Sequence, residues 1–422
     1  MPLDRRELLA RTGLTLVAAG LGDRLWTDDA ARASETSPPS WSEVRRQLDL
    51  DPRVIQLGGF LLASHPAPVR AAIERHRRGL DRNPVSYLHA NEGELEARVL
   101  REAASYLGVS PLDIALTDST TMGLGLVYNG LRLGRGDEVV TTRHDFFSTH
   151  ESLRTMAART GATVRTISLY GRPDAASVDA IVKAVRAALR PRTRVLAVTW
   201  VHSSTGVKLP VKAIAEVVAE RNRGRPEAER ILLCVDGVHG FGAEDVGLAA
   251  LGCDVLAAGC HKWLLGPRGT GIVWARPEAW SRLEPTIPSF SGGSSSAARF
   301  TPGGFHSFEH RWALADAFAF RRRIGRARAA ARIHELAGRL KAGLAAMGHV
   351  TLYTPRSTAL SAGLVCFDVR GLTPPQVVDR LARRRIVATV TPYATSYARL
   401  GTGLMNTPAE VDEALRAIRA LA

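Results

Sequence analysis

From Ile114 onward, short apolar runs alternate with amphipathic segments of helical spacing, and this alternation restricts the fold more than any other feature of the chain. The runs at Ile114–Thr117, Glu138–Thr141, Thr163–Ser168, Arg194–Trp200, Ile231–Val235, Val255–Ala258 and Gly271–Ala275 read as strands. They are short, rich in β-branched residues and bounded by turn formers. Thr121–Leu131, Thr149–Arg159, Ser177–Leu189 and Val211–Asn222 read as helices between them. Strands joined through helices pair in parallel, and a parallel sheet is stable only with both faces covered. The expected architecture is therefore α/β: a large domain with a mainly parallel seven-stranded sheet covered by helices, followed by a smaller C-terminal α/β domain.

The boundaries follow from composition. Residues 1–33 begin D-R-R-E-L-L at 4–9, continue through a modest apolar stretch at Thr12–Gly22 and end at Ala31-Arg32-Ala33, a pattern like a twin-arginine export signal. Such a signal would place the protein outside the cytoplasm; without it the protein is cytoplasmic. Ser34–Ser42 has linker composition, and an arm spanning 34–60 runs extended through Pro52–Phe60 to a first helix near Pro68–Gly79. The large domain is expected at 61–298, ending in the Gly/Ser-rich loop Ser289–Ala297. The small domain at 299–422 holds one long helical pattern from Arg311 to Met347, strands at Gly363–Val369 and Ile386–Val390, a helix at Pro374–Arg383 and a last helix from Thr407. The loops at Pro84–Asn91 and Phe290–Phe305 are expected to shape a substrate pocket. The sequence has no apolar run of the ~18 residues that span a bilayer, so no transmembrane bundle or membrane anchor is expected in the mature form.

The net charge of +15 comes almost wholly from arginine, since only five of the 56 basic residues are lysines: 183, 208, 212, 262 and 341. The arginines fall on helical segments (Arg75, Arg77, Arg78; Arg321, Arg322, Arg323; Arg383, Arg384, Arg385) without interleaved aromatics. That pattern favours a solvated basic surface over a nucleic-acid footprint. Cys234, Cys253, Cys260 and Cys366 have neither disulfide-framework nor metal-ligand spacing, and they read as small core residues.

With lysine so scarce, Lys262 stands out in G-C-H-K-W-L-L-G-P (259–267), at the end of a predicted strand. A lysine in a partly desolvated pocket has a depressed pKa and can form a Schiff base with an aldehyde; one on a turn simply snorkels to solvent. Asp236 lies twenty-six residues earlier in D-G-V-H-G (236–240), at the same expected edge of the sheet. There it either caps a turn or holds a pyridine nitrogen protonated. Thr117-Asp118-Ser119-Thr120-Thr121 joins the first strand to a helix whose free N–H groups and dipole suit a phosphate.

The order phosphate cup, aspartate, lysine resembles the class V aminotransferases, fold type I enzymes using pyridoxal 5′-phosphate, and most closely their isopenicillin N epimerase-like branch. The resemblance runs from Val54 to the C-terminus. It rests on S-H-P-A-P-V-R-A-A-I-E (64–74), H-D-F-F-S-T-H-E (144–151), V-D-G-V-H-G (235–240), H-K-W-L-L-G-P-R-G-T-G (261–271) and R-L-G-T-G-L-M-N-T-P-A-E-V-D (399–412). It implies that Lys262 is the internal-aldimine lysine and general acid–base, that Asp236 partners the pyridine nitrogen, and that Thr120, Thr121 and His261 contact the phosphate. Phe146 or His144 stacks on the ring, Phe146 being preferred. His239, and His202 or Ser203, meet the ring hydroxyl or the substrate, and Arg399 clamps the substrate α-carboxylate. The usual glycine-threonine pair that reaches a neighbour's phosphate is replaced around Glu309-His310, so His310 or Ser307 is expected there.

The resemblance implies a homodimer acting at Cα of a small amino acid through an external aldimine, as an epimerase or aminotransferase-like enzyme. Inversion needs a second proton donor facing Lys262, with Tyr393, Tyr397 and His239 as candidates. The alternatives are a C–S or β-elimination lyase acting on a cysteine conjugate, and a non-catalytic basic binding protein on the same scaffold. Persulfide-forming desulfuration is disfavoured, because T-P-Y-A-T-S-Y-A (391–398) has no cysteine where desulfurases carry theirs.

Overall fold

The computed structural model describes residues 37–290 and 295–422. The twin-arginine segment 1–33 and the middle of the Gly/Ser-rich loop lie outside the described residues. Pro39–Ala422 forms one compact unit.

Its centre is a seven-stranded sheet of β1 (Ile114–Thr117), β2 (Glu138–Thr142), β3 (Thr163–Ile167), β4 (Thr193–Thr199), β5 (Leu232–Asp236), β6 (Val255–Gly259) and β7 (Gly271–Ala275). The order across the sheet is β1-β7-β6-β5-β4-β2-β3, and only β7 runs antiparallel to its neighbours. Every residue of β1, β2, β5, β6 and β7 is buried, which is why these strands read as continuous apolar runs rather than alternating ones. The carboxyl ends of β1, β5 and β6 meet at one edge, where Thr117 pairs with Gly271, Asp236 with Ala257 and Gly259 with Gly271.

The C-terminal part carries a second, antiparallel sheet of β8 (Val350–Leu352), β9 (Leu364–Val369), β10 (Thr389–Val390) and β11 (Ala398–Gly401), in the order β10-β11-β9-β8. The arm is tied to this part: Ile55 and Gln56 pair in parallel with Ile386 and Val387, and the Gly401 N–H donates to Leu57 O at 2.8 Å. Leu57 is buried in one cluster with Leu336, Leu340, Phe367 and Leu400.

Three expectations need correction. The helical pattern from Arg311 to Met347 is two helices, Phe308–Ile324 and Arg326–Ala345, broken at Gly325, whose φ of 87° no continuing helix accepts. Pro84–Asn91 is the start of a 24-residue helix, Pro84–Leu107, with Pro84 at a helix start where its missing N–H costs nothing. Ile386–Val390 divides between two sheets, and Arg399, to which no strand was assigned, lies inside β11.

Gly206 couples the two parts. It sits at φ 74°, and a Cβ there would lie 2.6 Å from Thr354 Oγ1 and 2.7 Å from Leu364 O. Gly206→Ala is expected to lower unfolding free energy by about 1–3 kcal/mol, read from denaturant unfolding. An unchanged midpoint would show that this junction is looser than described.

Candidate active site

Lys262 lies just beyond the end of β6, in a turn closed by hydrogen bonds from Leu265 N to Lys262 O at 3.0 Å and from Gly266 N to Cys260 O at 2.8 Å. Leu265 adopts φ 65° although it is not glycine, local strain of about 1–3 kcal/mol that packing must hold in place. Burial pushes the Lys262 pKa down to about 8, opposed by the Asp236 charge and reinforced by Arg399. Asp236, at the end of β5, is 1% exposed, and its Oδ1 accepts the Val238 N–H at 3.0 Å. Burial pushes its carboxyl up to about 7 against that hydrogen bond. Among the described residues, neither group has a hydrogen-bonded countercharge.

The anion end of the site is the helix Thr120–Gly130. Ser119 Oγ takes the Met122 N–H at 3.1 Å, and no hydrogen bond engages the N–H groups of Thr120 and Thr121 among the described residues, as at any helix start. Thr120 Oγ1 accepts the Gly259 N–H at 2.7 Å, so its own O–H remains to donate. A Cβ at Gly259 would lie 2.9 Å from His261 Cε1 and 3.1 Å from Thr120 Oγ1, so this close approach requires glycine. His261 Nδ1 is buried without a hydrogen-bond partner among the described residues, and burial followed by the Lys262 charge lowers its pKa. Thr121 is exposed at the helix start.

Arg399 lies in β11 and is 2% exposed. Its Nε donates to Thr389 Oγ1 at 3.0 Å and its Nη1 to Ser203 O at 2.7 Å, and its guanidinium carbon lies 4.7 Å from the centre of the Phe60 ring. No hydrogen bond engages Nη2 among the described residues, so one face of the fork is left for a carboxylate. Ser203 Oγ and Tyr393 Oη are 2.6 Å apart, and Phe146 meets the Tyr393 ring edge-on at 6.1 Å. His239 Nδ1 accepts the Trp263 indole N–H at 3.2 Å, which puts the proton of the neutral ring on Nε2. Burial and then Lys262 hold its pKa well below the ordinary histidine value.

The structure thus brings Lys262, Asp236, His239, His261, Thr120, Ser203 and Arg399 to one sheet edge, with Phe146 beside Tyr393. His144 instead stacks on Tyr170 at 4.2 Å, and His202 is fully buried behind them, its Nδ1 2.8 Å from Tyr170 Oη. His310 bonds Arg268 O at 3.0 Å, and its ring meets that of His65 edge-on at 6.2 Å. Tyr397 packs on Tyr353, ring centres 4.1 Å apart. Cys366 is buried in β9, where burial pushes its thiol up to about 12.

Sequence reasoning missed Phe60, Trp263 and Asp145. Asp145 is 1% exposed and accepts from Thr142 N at 2.7 Å, Thr199 N at 2.8 Å and Thr141 Oγ1 at 2.8 Å. The signal was present in H-D-F, an acidic residue between two aromatic ones on a strand-end turn.

A phosphate suits the helix start, a basic ring nitrogen suits Asp236, and an aldehyde between them would reach Lys262; one molecule that offers all three is pyridoxal 5′-phosphate. Its partners are present here in the arrangement of a fold type I enzyme using that cofactor. The chain belongs to the class-V aminotransferase family, whose model matches residues 63–413. It is similar to isopenicillin N epimerase of Streptomyces clavuligerus, with 31% identity over 404 residues covering 90% of this chain and 98% of that protein. It is also similar to isopenicillin N epimerase of Amycolatopsis lactamdurans, with 29% identity over 345 residues covering 78% and 84%. The structure of a C-DES mutant with glycine covalently linked to the PLP cofactor superposes with a TM-score of 0.79 at 22% identity, covering 89% of this chain and 98% of that one.

With Lys262 titrating near 8, its nucleophilic neutral form predominates only above that pH. Capture of pyridoxal 5′-phosphate by the cofactor-free protein, followed by its visible band, is expected to speed up from pH 7 to 9 and then level off. In Lys262→Ala the band should not form. A band in that variant would show that another amine holds the cofactor.

Proposed function

We propose that the protein is an amino-acid Cα-proton transferase, epimerase-like or aminotransferase-like. The observation that carries this reading is the burial of Lys262, Asp236 and Arg399 close enough together that the charges of Asp236 and Arg399 both act on Lys262. Bound pyridoxal 5′-phosphate supplies an aldehyde that takes the substrate amine and a ring that accepts electrons from Cα.

The protein's own residues do the rest. Arg399 binds the α-carboxylate through its remaining fork face and fixes which Cα substituent points at Lys262. Asp236, held in place by the Val238 N–H, keeps a ring nitrogen protonated by giving it the countercharge that the buried site otherwise lacks. Lys262 Nζ removes the Cα proton and can return it, since its lowered pKa leaves a useful fraction neutral at working pH. The neutral His239 and His261 donate and accept hydrogen bonds without adding charge beside Lys262. The epimerase-like outcome is supported by a relative similar over 90% of the chain. Desulfuration through a thiol finds no support in Cys366, which is buried and poorly ionised.

We also infer a homodimer. Phe147, Val85, Leu62 and Phe305 are exposed by 62%, 62%, 52% and 84%, apolar surface of the kind a second copy covers. Sedimentation showing a monomer that retains cofactor would overturn this.

Deuterium wash-in at Cα, measured by mass spectrometry over a panel of L- and D-amino acids, tests the reaction. Lys262→Ala should lose exchange by roughly 10²–10⁴-fold. Arg399→Ala should raise KM by roughly 10–100-fold, as expected for a lost charge-assisted hydrogen bond of about 1.5–3 kcal/mol. Cys366→Ala should leave exchange intact. Wild-type protein that takes up cofactor yet exchanges no amino acid would overturn the reading.

A further inference from the structure

Arg399 touches residues on two sides of the site, Phe60 and Ser203, and what stands on each side differs. On one side are Phe60 and Trp263, stacked at 6.4 Å, which line a narrow apolar cleft together with Lys262; the Arg399 guanidinium lies over Phe60. On the other side are Ser203, whose carbonyl accepts from Arg399 Nη1, and Tyr393, whose hydroxyl lies 2.6 Å from Ser203 Oγ. Lys262 and Tyr393 both lie close enough to Arg399 to feel its charge, so a carboxylate held by Arg399 brings its Cα near an amine and a phenol.

Tyr393 is not loosely presented. The loop 391–397 is closed on Thr391: Thr391 N donates to Tyr397 O at 3.0 Å, Tyr397 N to Thr391 Oγ1 at 2.9 Å, and Ser396 Oγ to Thr391 O at 2.8 Å. Thr391 itself is buried, and Phe146 supports the Tyr393 ring edge-on. The other candidates for the same task are engaged elsewhere. Tyr397 is packed on Tyr353, and His239 shares the Lys262 wall, bonded to Trp263 there.

We propose that Tyr393, oriented by Ser203, is the acid that protonates Cα on the face opposite Lys262, so that the site inverts its substrate rather than merely exchanging its proton. This rests on the Cα-proton reading above. In the L-to-D direction the Cα–H bond breaks, its proton goes to Lys262 Nζ and its electron pair is held by the bound cofactor. The Tyr393 O–H bond then breaks and a new C–H bond forms on the other face. Lys262 releases one proton to water and Tyr393 regains one from water past Ser203, so the net change is inversion alone. Burial pushes the Tyr393 pKa up to about 12, which keeps its proton in place until a stronger base forms beside it.

The test compares inversion with exchange in deuterium oxide, using whichever L- or D-amino acids of the panel wild-type protein exchanges, with chiral chromatography to read configuration. Tyr393→Phe should keep the cofactor's visible band and its shift on amino-acid addition, and should still exchange the enantiomer that presents its proton to Lys262. Its ratio of inversion to exchange should fall by roughly 10²–10⁴-fold. Ser203→Ala should lower the same ratio less, and Tyr397→Phe should leave it unchanged. Inversion at the wild-type ratio in Tyr393→Phe would overturn this proposal and leave the Cα-proton reading standing. Exchange without inversion in wild-type protein would do the same. Absence of exchange in wild-type protein would remove the reading itself.

Discussion

The site is organised by the burial of an amine and a carboxylate, neither of which has a hydrogen-bonded countercharge among the described residues. Lys262 and Asp236 lose hydration on folding, and the loss drives both toward their neutral forms, the lysine to about 8 and the aspartate to about 7. A fold tolerates this only when something else is gained, because an unpaired buried charge costs several kcal/mol. A ligand with a basic nitrogen at one end and an aldehyde near the other relieves both groups. The same burial makes Lys262 nucleophilic and Asp236 an effective partner for a ring nitrogen.

The scaffold explains why these groups meet. In an open α/β sheet the carboxyl ends of the strands are where side chains and helix N-termini converge. Here β5 ends in Asp236, β6 leads into Lys262, and the turn after β1 starts the helix with the unbonded N–H groups. Gly259 lets the helix start and His261 approach the end of β6, and the strained Leu265 holds the turn beneath Lys262. The C-terminal sheet contributes Arg399 from β11, and the arm contributes Phe60 beneath its guanidinium. The Arg399 hydrogen bond to Ser203 O therefore also ties the C-terminal part to the large sheet at the point where a substrate would sit.

The central sheet was legible because its strands are buried on both faces and so appear as uninterrupted apolar runs; the seven expected strands match the seven observed to within a residue or two. The Lys262 and Asp236 segments were legible because rare or charged residues at strand ends stand out from such runs. What was not legible depended on context. Pro84 looks like a loop former and is a helix start, and Gly325 breaks a pattern whose apolar spacing continues across it. Arg399 sits in a short strand whose pairing with β9 and β10 is set by tertiary register. Phe60 and Trp263 act through contacts with residues far away in sequence, so no local spacing announces them, whereas Asp145 is held partly by its neighbours Thr141 and Thr142 and was marked by H-D-F. The position of Tyr393 against Ser203, separated by 190 residues, is likewise a product of the fold alone.

The most direct test of the central claim is reductive trapping. Purified protein is incubated with pyridoxal 5′-phosphate, reduced with borohydride and mapped by peptide mass spectrometry. The chain has only five lysines, so the outcome is unambiguous in position. The account predicts a pyridoxyl group on Lys262, and a loss of labelling in Asp236→Asn that higher cofactor concentration restores. A label on Lys183, Lys208, Lys212 or Lys341, or none on protein that is demonstrably folded, would contradict it.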